Sequence, residues 1–211
     1  MTEQEHWQDV YTGKAPDEQS WYQRRPDLSL ELIDQIADDS ADNPLRLVDI
    51  GGGASTLVDH LLEDDSFDVT VVDIAPAALE ESQIRLGEGA DDVRWVVADL
   101  TESLELGDRF DVWHDRAVFH FMTDDGDRRA YLDNLRAHLD VGGHLVLSTF
   151  APEGPEKCSG LQVRRYSPEL MAETLGEGWK LIESRRELHP TPWGGEQAFV
   201  YGVFKRVNSD R

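Results

Sequence analysis

The feature that most constrains the fold is a run of three glycines between two apolar segments. The apolar run that ends at Ile50 is typical of a buried strand, and the apolar residues that follow the glycines recur at helical spacing: Leu57, Val58, Leu61 and Leu62. The pattern predicts a strand that passes into a helix across Gly51, Gly52 and Gly53. Because glycine has no Cβ, we expect this backbone to approach a ligand closely, with the N–H groups of the helix's first turn facing the same spot.

Two phosphate-binding patterns can be compared with this stretch. The dinucleotide pattern G-x-G-x-x-G is incomplete, because Thr56 stands where the third glycine belongs. A P-loop needs a lysine after the glycines, and no lysine lies between Lys14 and Lys157, which excludes that motif. Asp49, two residues before the first glycine, is an acid where a pyrophosphate site usually has an apolar residue. An acid at this position favours a cationic ligand.

With this acid, the stretch Val48-Asp49-Ile50-Gly51-Gly52-Gly53 resembles the first motif of class I S-adenosylmethionine-dependent methyltransferases. The resemblance implies S-adenosyl-L-methionine as cofactor, with Asp49 and the three glycines near its charged groups. A tight strand-to-helix turn that binds nothing is the alternative for the motif taken alone.

Aspartates also end the next two predicted strands. Phe67–Ile74 reaches Asp73 about 20 residues after the glycines, where an acid can accept both hydroxyls of a ribose in NAD and S-adenosylmethionine alike. Val93–Ala98 is followed by Asp99 and Leu100, which in the family pattern receive the adenine ring. Acids at successive strand ends fit the ligand crevice at the carboxyl edge of an open α/β sheet.

The fourth predicted strand, Phe110–His114, leads into an unusual stretch rich in polar and aromatic residues. In the family this position lies nearest the transferred methyl group. We predict that His114 and Asp115 line the cofactor, that Arg116 binds a carboxylate, and that His120 is a candidate general base. The alternatives are a histidine that only packs in an aromatic cluster, and a local ion pair between Asp115 and Arg116.

Residues 1–44 precede the first strand and are rich in large aromatic rings. Packing of an N-terminal helix on the sheet explains some of them. The other interpretation is a lid over cofactor and substrate, because Trp7, Tyr11 and the Ser20–Gln23 stretch resemble segments of bacterial and archaeal methyltransferases and of some eukaryotic lysine methyltransferases. Trp21 and Tyr22 are the predicted cofactor contacts of such a lid, and Arg25 is a predicted substrate contact.

A proline- and glycine-rich connection, 151–168, is expected to be functional or mobile. It supplies the remaining substrate candidates: Cys158, Arg165 and Tyr166. A structural role is favoured for Cys158, because methyl transfer needs no covalent intermediate on the enzyme. Beyond it, two long strands joined by a seven-residue loop, 189–195, predict an antiparallel pair at the end of the sheet. Residues 38–44 are predicted to form a polar turn, and 207–211 a frayed tail.

Composition narrows the class of protein. The 211 residues carry 43 acidic and 20 basic side chains, for a net charge of −23. This balance argues against nucleic-acid binding and is typical of a surface adapted to concentrated salt. A single cysteine excludes an internal disulfide, and no metal-ligand cluster is evident. With no apolar stretch long enough to span a membrane and no signal peptide in the sequence, we expect a cytoplasmic protein without a membrane partner.

Together these patterns predict an α/β fold of Rossmann-like, doubly wound type, with a seven-stranded, mostly parallel sheet and an antiparallel last strand. We expect a single domain, 1–211, in which 1–44 form an N-terminal lid segment and 45–211 a catalytic core. The resemblance implies in-line methyl transfer from S-adenosylmethionine to a small molecule, with no metal. Transfer to a protein lysine and an NAD-dependent oxidoreductase are the alternatives. The methyl acceptor and the oligomeric state are left open by the sequence.

Overall fold

The computed structural model describes residues 2–13, 15–40, 44–63 and 65–208, so parts of the predicted turn at 38–44 and of the predicted tail at 207–211 lie outside the described residues. The N-terminal region holds α1 (Glu3–Gly13) and α2 (Asp27–Asp38). The elements that follow alternate between strands and helices: β1 (Leu45–Ile50), α3 (Leu57–Leu61), β2 (Phe67–Asp73), α4 (Pro76–Leu86), β3 (Val93–Val97), β4 (Phe110–Arg116), α5 (Asp125–His138) and β5 (Leu139–Phe150).

The last third of the chain closes the sheet. A short hairpin of β6 (Lys157–Cys158) and β7 (Leu161–Gln162) precedes α6 (Pro168–Leu175), and β8 (Trp179–Pro190) and β9 (Glu196–Arg206) follow. The predicted seven-residue loop between these strands is shorter, because β8 continues through His189 and Pro190 and only 191–195 connect the two. At the C-terminal end, Val207 donates its N–H to the carbonyl of Gly178, so this part of the predicted tail is held.

Seven strands form one sheet in the order β3-β2-β1-β4-β5-β9-β8. The first five strands are parallel, and β9 runs antiparallel to both of its neighbours. This confirms the predicted doubly wound sheet with an antiparallel last strand. The strand order reverses between β1 and β4, so the carboxyl ends of these two strands border a crevice, the usual ligand site of such sheets.

Alternating side chains of the central strands enter two apolar cores, one on each face of the sheet. Val48, Ile50 and Trp113 face the core under α5 and α6, whereas Leu47 and Val112 face the core under α2, α3 and α4. Nearly continuous apolar strands are what a sheet covered on both faces requires. Burial on both faces holds the strand ends rigidly, and the candidate site lies on these ends.

The connection after β3 is fastened to α5 by one buried amide. The Asn134 side chain accepts the N–H of Leu104 at 2.9 Å and donates to the carbonyls of Leu100 and Glu102 at 3.0 and 2.7 Å. Because Leu100 follows Asp99, this amide also positions the segment that ends at the third strand's carboxyl edge.

Replacing Asn134 with alanine is expected to lower the free energy of unfolding by about 1–3 kcal/mol, since it leaves buried backbone groups without partners. Urea denaturation followed by circular dichroism measures this change. Asp133→Ala on the exposed side of the same helix is the control, and a loss no larger than in that control would contradict the role given to Asn134.

Candidate cofactor and substrate site

The glycine turn connects β1 to α3 at the carboxyl edge of the sheet. Gly51 has a left-handed backbone, with φ +65°, and donates its N–H to the carbonyl of Val72 at 2.7 Å. A Cβ on Gly53 would lie only 2.5 Å from both the Cβ of Ala78 and the Oδ2 of Asp73. Glycine is therefore required by close packing within the protein as well as by the turn.

The predicted helix after the glycines is short and begins late. It covers only Leu57–Leu61, and the Ser55 hydroxyl accepts the N–H of Leu57. The turn 51–56 separates the glycines from the helix, and the Ser55 hydroxyl takes the N–H of Leu57 in place of a ligand. That the other N–H groups of the first turn face a ligand stays a prediction. Thr56, which replaces the third glycine of the dinucleotide pattern, donates its hydroxyl to the carbonyl of Gln23 at 2.9 Å and so fastens the N-terminal segment.

Asp49 is buried at the end of β1 and is held from one side. Its Oδ1 lies 2.7 Å from Nδ1 of His114 on β4, and Nε2 of the same ring lies 2.9 Å from the hydroxyl of Ser29 on α2. Among the described residues, its Oδ2 has no hydrogen-bond partner. A buried carboxylate oxygen without a partner is costly, and a cationic ligand in the crevice would satisfy it.

Asp73 is a second buried carboxylate, at the end of β2. Its oxygens accept the N–H groups of Gly53 at 3.1 Å and Ala75 at 2.8 Å. Burial raises the pKa of Asp73 to about 7; the backbone N–H groups oppose the rise, and the neighbouring Asp49 adds to it. The carboxyl lies next to open space, where hydroxyl groups of a ligand can donate to it.

Two adjoining cavities lie over these strand ends. The larger encloses about 740 Å³, part of it open to solvent, and the smaller about 560 Å³. Predicted residues line the larger cavity: Trp21, Gly51, Asp73, Ile74, Asp99, Leu100, Arg116 and Cys158. Others line the smaller one: Trp21, Tyr22, Asp49, Gly51, Gly52, His114 and Arg116.

The N-terminal segment forms one wall of the larger cavity. Helix α1 is held over the strand ends by Gln4, which donates to the carbonyl of Ile74, and by Gln8, which accepts the N–H of Ala77, both at 3.1 Å. The rings of Trp7, Tyr11 and Trp21 face the cavity from this segment. The predicted lid is thus adjacent to the predicted cofactor residues; its movement stays a prediction.

Arg116 lines both cavities, but its guanidinium is engaged within the protein. It donates to the hydroxyl of Tyr201 at 2.9 Å and to the carbonyl of Trp21 at 3.0 Å, and pairs with Glu187 at 3.4 Å. The group also lies 4.6 Å from the centre of the Phe199 ring. Arg116 therefore fastens the N-terminal segment to the sheet, and the predicted ligand carboxylate is replaced by that of Glu187.

The two other predicted residues of this stretch lie away from the cavities. Asp115 is fully buried and accepts the N–H groups of Val118 and Phe119 and the hydroxyl of Tyr131. Burial raises its pKa to about 6. The fully buried His120 packs on Phe121 and Phe150, and burial lowers its pKa to about 3. Neither residue borders a described cavity, so the structure does not bring Asp115 and His120 together with the other predicted residues.

Three residues predicted to contact the substrate also lie away from the cavities. Arg25 is exposed and pairs with Asp27 at 3.0 Å. Arg165 donates to the carbonyl of Gly154 and pairs with Glu156 within the 151–168 connection. Tyr166 is fully buried against Phe119, and burial raises its pKa to about 12. All three lie outside the two cavities, because local partners and core packing hold them elsewhere.

Cys158 does line the larger cavity, from the β6–β7 hairpin. Burial raises the pKa of its thiol to about 11, so the sulfur stays protonated at neutral pH. This agrees with the expectation that it is no nucleophile. Within the described residues no cluster of three or more His, Cys, Asp or Glu side chains could hold a metal ion.

Some cavity residues were not among the predicted contacts. Glu3, Val118, Phe121 and Met122 line the larger cavity, and Ser29 holds His114 beside the smaller one. Val118 and Phe121 lie within the stretch 115–121 that follows the fourth strand, and Met122 directly follows it, so the sequence identified the segment but not these side chains. Glu3 and Ser29 lie on helices whose docking the sequence does not encode locally.

The raised pKa of Asp73 predicts a pH-dependent stability. Between the unfolded pKa near 4 and the folded value of about 7, the folded state binds more protons, so Asp73 makes the unfolding free energy fall as pH rises. Asp73→Asn removes this titration, and the variant's stability relative to the native protein should increase from pH 5 to pH 8 in urea melts. Asp68→Asn, exposed on the same strand, is the control; parallel pH profiles for all three proteins would contradict the assignment.

Comparison with known proteins agrees with this geometry. Residues 48–145 match the family model of a methyltransferase domain. A malonyl-[acyl-carrier protein] O-methyltransferase of Anoxybacillus flavithermus is 33% identical over 109 residues, which are 51% of this chain and 39% of that protein. The chain thus spans about two fifths of the length of this curated relative.

Solved structures share the fold over most of the chain. The 1,6-didemethyltoxoflavin-N1-methyltransferase of Burkholderia thailandensis, solved with its substrate and S-adenosylhomocysteine, has a TM-score of 0.69 at 22% identity and covers 97% of this chain and 84% of its own. The N-methyltransferase NodS of Bradyrhizobium japonicum, solved with S-adenosyl-L-homocysteine, has a TM-score of 0.70 at 16% identity, covering 95% and 98%. The match to the methyltransferase model at 48–145 and the shared seven-stranded fold make the chain similar to class I S-adenosylmethionine-dependent methyltransferases.

Proposed function

We propose that the protein transfers the methyl group of S-adenosyl-L-methionine to a small molecule. The observation that carries the proposal is the pair of buried carboxylates, Asp49 and Asp73, at adjacent strand ends beside two adjoining cavities. The partnerless Oδ2 of Asp49 would bind the ammonium group, and Asp73 the ribose hydroxyls. Asp99, Ile74 and Leu100 would border the adenine ring. The match to the methyltransferase family model supports this assignment.

The bound cofactor supplies an electrophilic methyl group on a sulfonium. The chain's contribution is to hold the two reactants in line and to exclude water, with Trp7, Tyr11 and Trp21 as the covering wall. Such positioning alone can contribute about 7–11 kcal/mol. His120 cannot remove a proton from an acceptor, because it is buried away from both cavities. Catalysis would therefore depend on positioning.

The alternatives receive less support. An NAD-dependent oxidoreductase would continue its parallel β-α-β pattern where β9 runs antiparallel. A protein-lysine acceptor would need a channel for a long side chain, whereas the covering rings enclose the larger cavity on one side. Neither the fold nor the comparisons favour these functions. We further infer that residues 1–211 act as one domain with 1–44 as its cap; the oligomeric state is left open.

Binding of three related ligands tests the assignment of the two carboxylates. Asp49→Asn should lower the affinities for S-adenosylmethionine and S-adenosylhomocysteine about equally, by roughly 10- to 150-fold. This range corresponds to the loss of a charged hydrogen bond of about 1.5–3 kcal/mol. The affinity for 5′-methylthioadenosine should stay unchanged, because this ligand lacks the ammonium group. Asp73→Asn should lower the affinities for all three ligands, because all three carry the ribose hydroxyls. Calorimetric titration gives the affinities.

Asp68→Asn on the outside of β2 is the matched control. Native protein that binds NAD and none of the three ligands would overturn the proposed function. Equal affinities in the native and Asp73→Asn proteins would overturn the ribose assignment alone.

We also propose adaptation to concentrated salt in the cytoplasm. The net charge of −23 means that acidic side chains repel one another at low ionic strength. Salt near 1 M shortens the screening length to about 3 Å and so weakens this repulsion. In the described residues no helix is long and apolar enough to span a bilayer. The midpoint of thermal unfolding should rise between 0.1 and 2 M KCl; a midpoint that stays constant or falls would contradict the proposal.

A further inference from the structure

The charges around the two cavities restrict which methyl acceptor can enter. Among the described residues that line them, Arg116 is the one arginine or lysine, and the one histidine, His114, lies against the Asp49 carboxylate. Its guanidinium already meets the Glu187 carboxylate, a hydroxyl and a backbone carbonyl, and its plane lies near the Phe199 ring. A carboxylate or phosphate acceptor would find no free cation, since such groups are usually held by a bidentate arginine.

Acidic groups line the same cavity. Glu3, Asp73 and Asp99 border it, and the pKa of Glu3 is raised by burial and by the nearby Asp99 and Asp127. This rise is what like charges in a partly buried site produce. An anionic acceptor would therefore be repelled, as well as left without a partner.

Aromatic rings give the larger cavity its shape. The ring centre of Trp7 lies 5.0 Å from that of Phe121 and 6.0 Å from that of Trp21, both at steep angles, and Tyr11 lies 6.2 Å from Trp21. Val118 and Met122 add apolar surface beside them. Edge-to-face rings leave flat faces available for a further ring, and a planar molecule gains most from such contact.

Apart from Glu3, the titratable groups that line the larger cavity are poorly suited to remove a proton from an acceptor. Burial keeps the hydroxyl of Tyr11 and the thiol of Cys158 protonated at neutral pH. Asp73 accepts backbone N–H groups, and one oxygen of Asp99 accepts the N–H and hydroxyl of Thr101. An acceptor whose lone pair needs no deprotonation is therefore the one best suited to this site.

The geometry points to a flat, uncharged nitrogen heteroaromatic compound as the methyl acceptor, with its ring against Trp7, Trp21 and Phe121. This inference rests on the proposed function. The ring nitrogen's lone pair forms the new C–N bond as the C–S bond breaks, and the bonding pair returns to sulfur. The positive charge passes from sulfonium to the methylated nitrogen, and no proton moves.

Three bicyclic probes test the inference: isoquinoline, isoquinoline-5-carboxylate and decahydro-2-naphthol, an uncharged saturated compound of similar size. Binding to the protein saturated with S-adenosylhomocysteine is measured by calorimetry, and methyl transfer by label from S-adenosylmethionine. We expect isoquinoline to bind at least tenfold more tightly than the anionic or the saturated probe. We expect label to enter isoquinoline.

Two variants separate the contributions of ring and charge. Trp7→Leu should lower the affinity for isoquinoline by roughly tenfold, which corresponds to the upper end of the interaction energies of aromatic pairs. Trp193→Leu, a control at an exposed ring, should leave its affinity unchanged. Glu187→Gln frees one side of Arg116, so it should tighten binding of the carboxylate probe and leave that of isoquinoline unchanged.

The outcomes distinguish this inference from the function on which it rests. If S-adenosylhomocysteine does not bind, the proposed function fails, and the acceptor assignment with it. If S-adenosylhomocysteine binds but isoquinoline does not, or the carboxylate probe binds as tightly, the acceptor assignment alone is wrong. The same holds if Trp7→Leu has no effect on isoquinoline.

Discussion

Two carboxylates buried side by side at the sheet's carboxyl edge are the constraint on which the site depends. Removing an ionised carboxyl from water is costly, and the cost grows when a second acid lies nearby. The fold offsets part of it with backbone N–H groups from Gly53 and Ala75 on Asp73 and with the His114 ring on Asp49. The remaining cost appears as the raised pKa of Asp73 and the partnerless oxygen of Asp49. A cationic ligand with hydroxyl groups would offset both.

Polar side chains from other parts of the chain fasten the N-terminal segment in place. Arg116 and Thr56 bind carbonyls of this segment, and His189 lies 2.9 Å from the carbonyl of Ser20. These contacts hold the stretch around 20–23, while α1 has no fully buried residue and rests on three glutamine contacts and ring packing. The covering wall thus has a fixed base and a less firmly held helix, an arrangement suited to admitting a ligand.

Several features of the fold depend only on rules that act over a few neighbouring residues. Strand ends are local features: an apolar run followed by an acid predicts where Asp49, Asp73 and Asp99 lie, and parallel strands bring such ends to one edge. The antiparallel ending also followed from the short connection before β9. Simple capping rules likewise account for Pro76 in the first turn of α4 and for Ser167 as the N-cap of α6.

What the sequence determined by itself was the doubly wound sheet and the acids at its edge, because period, turn residues and connection length act over a few neighbouring positions. Only the tertiary structure decided the roles of Arg116, Asp115 and His120. Arg116 meets Glu187 across 71 positions of sequence, and Asp115 meets the Tyr131 hydroxyl from α5. A polar side chain's role depends on whether distant elements satisfy it or leave it facing a cavity, and no local pattern carries that information.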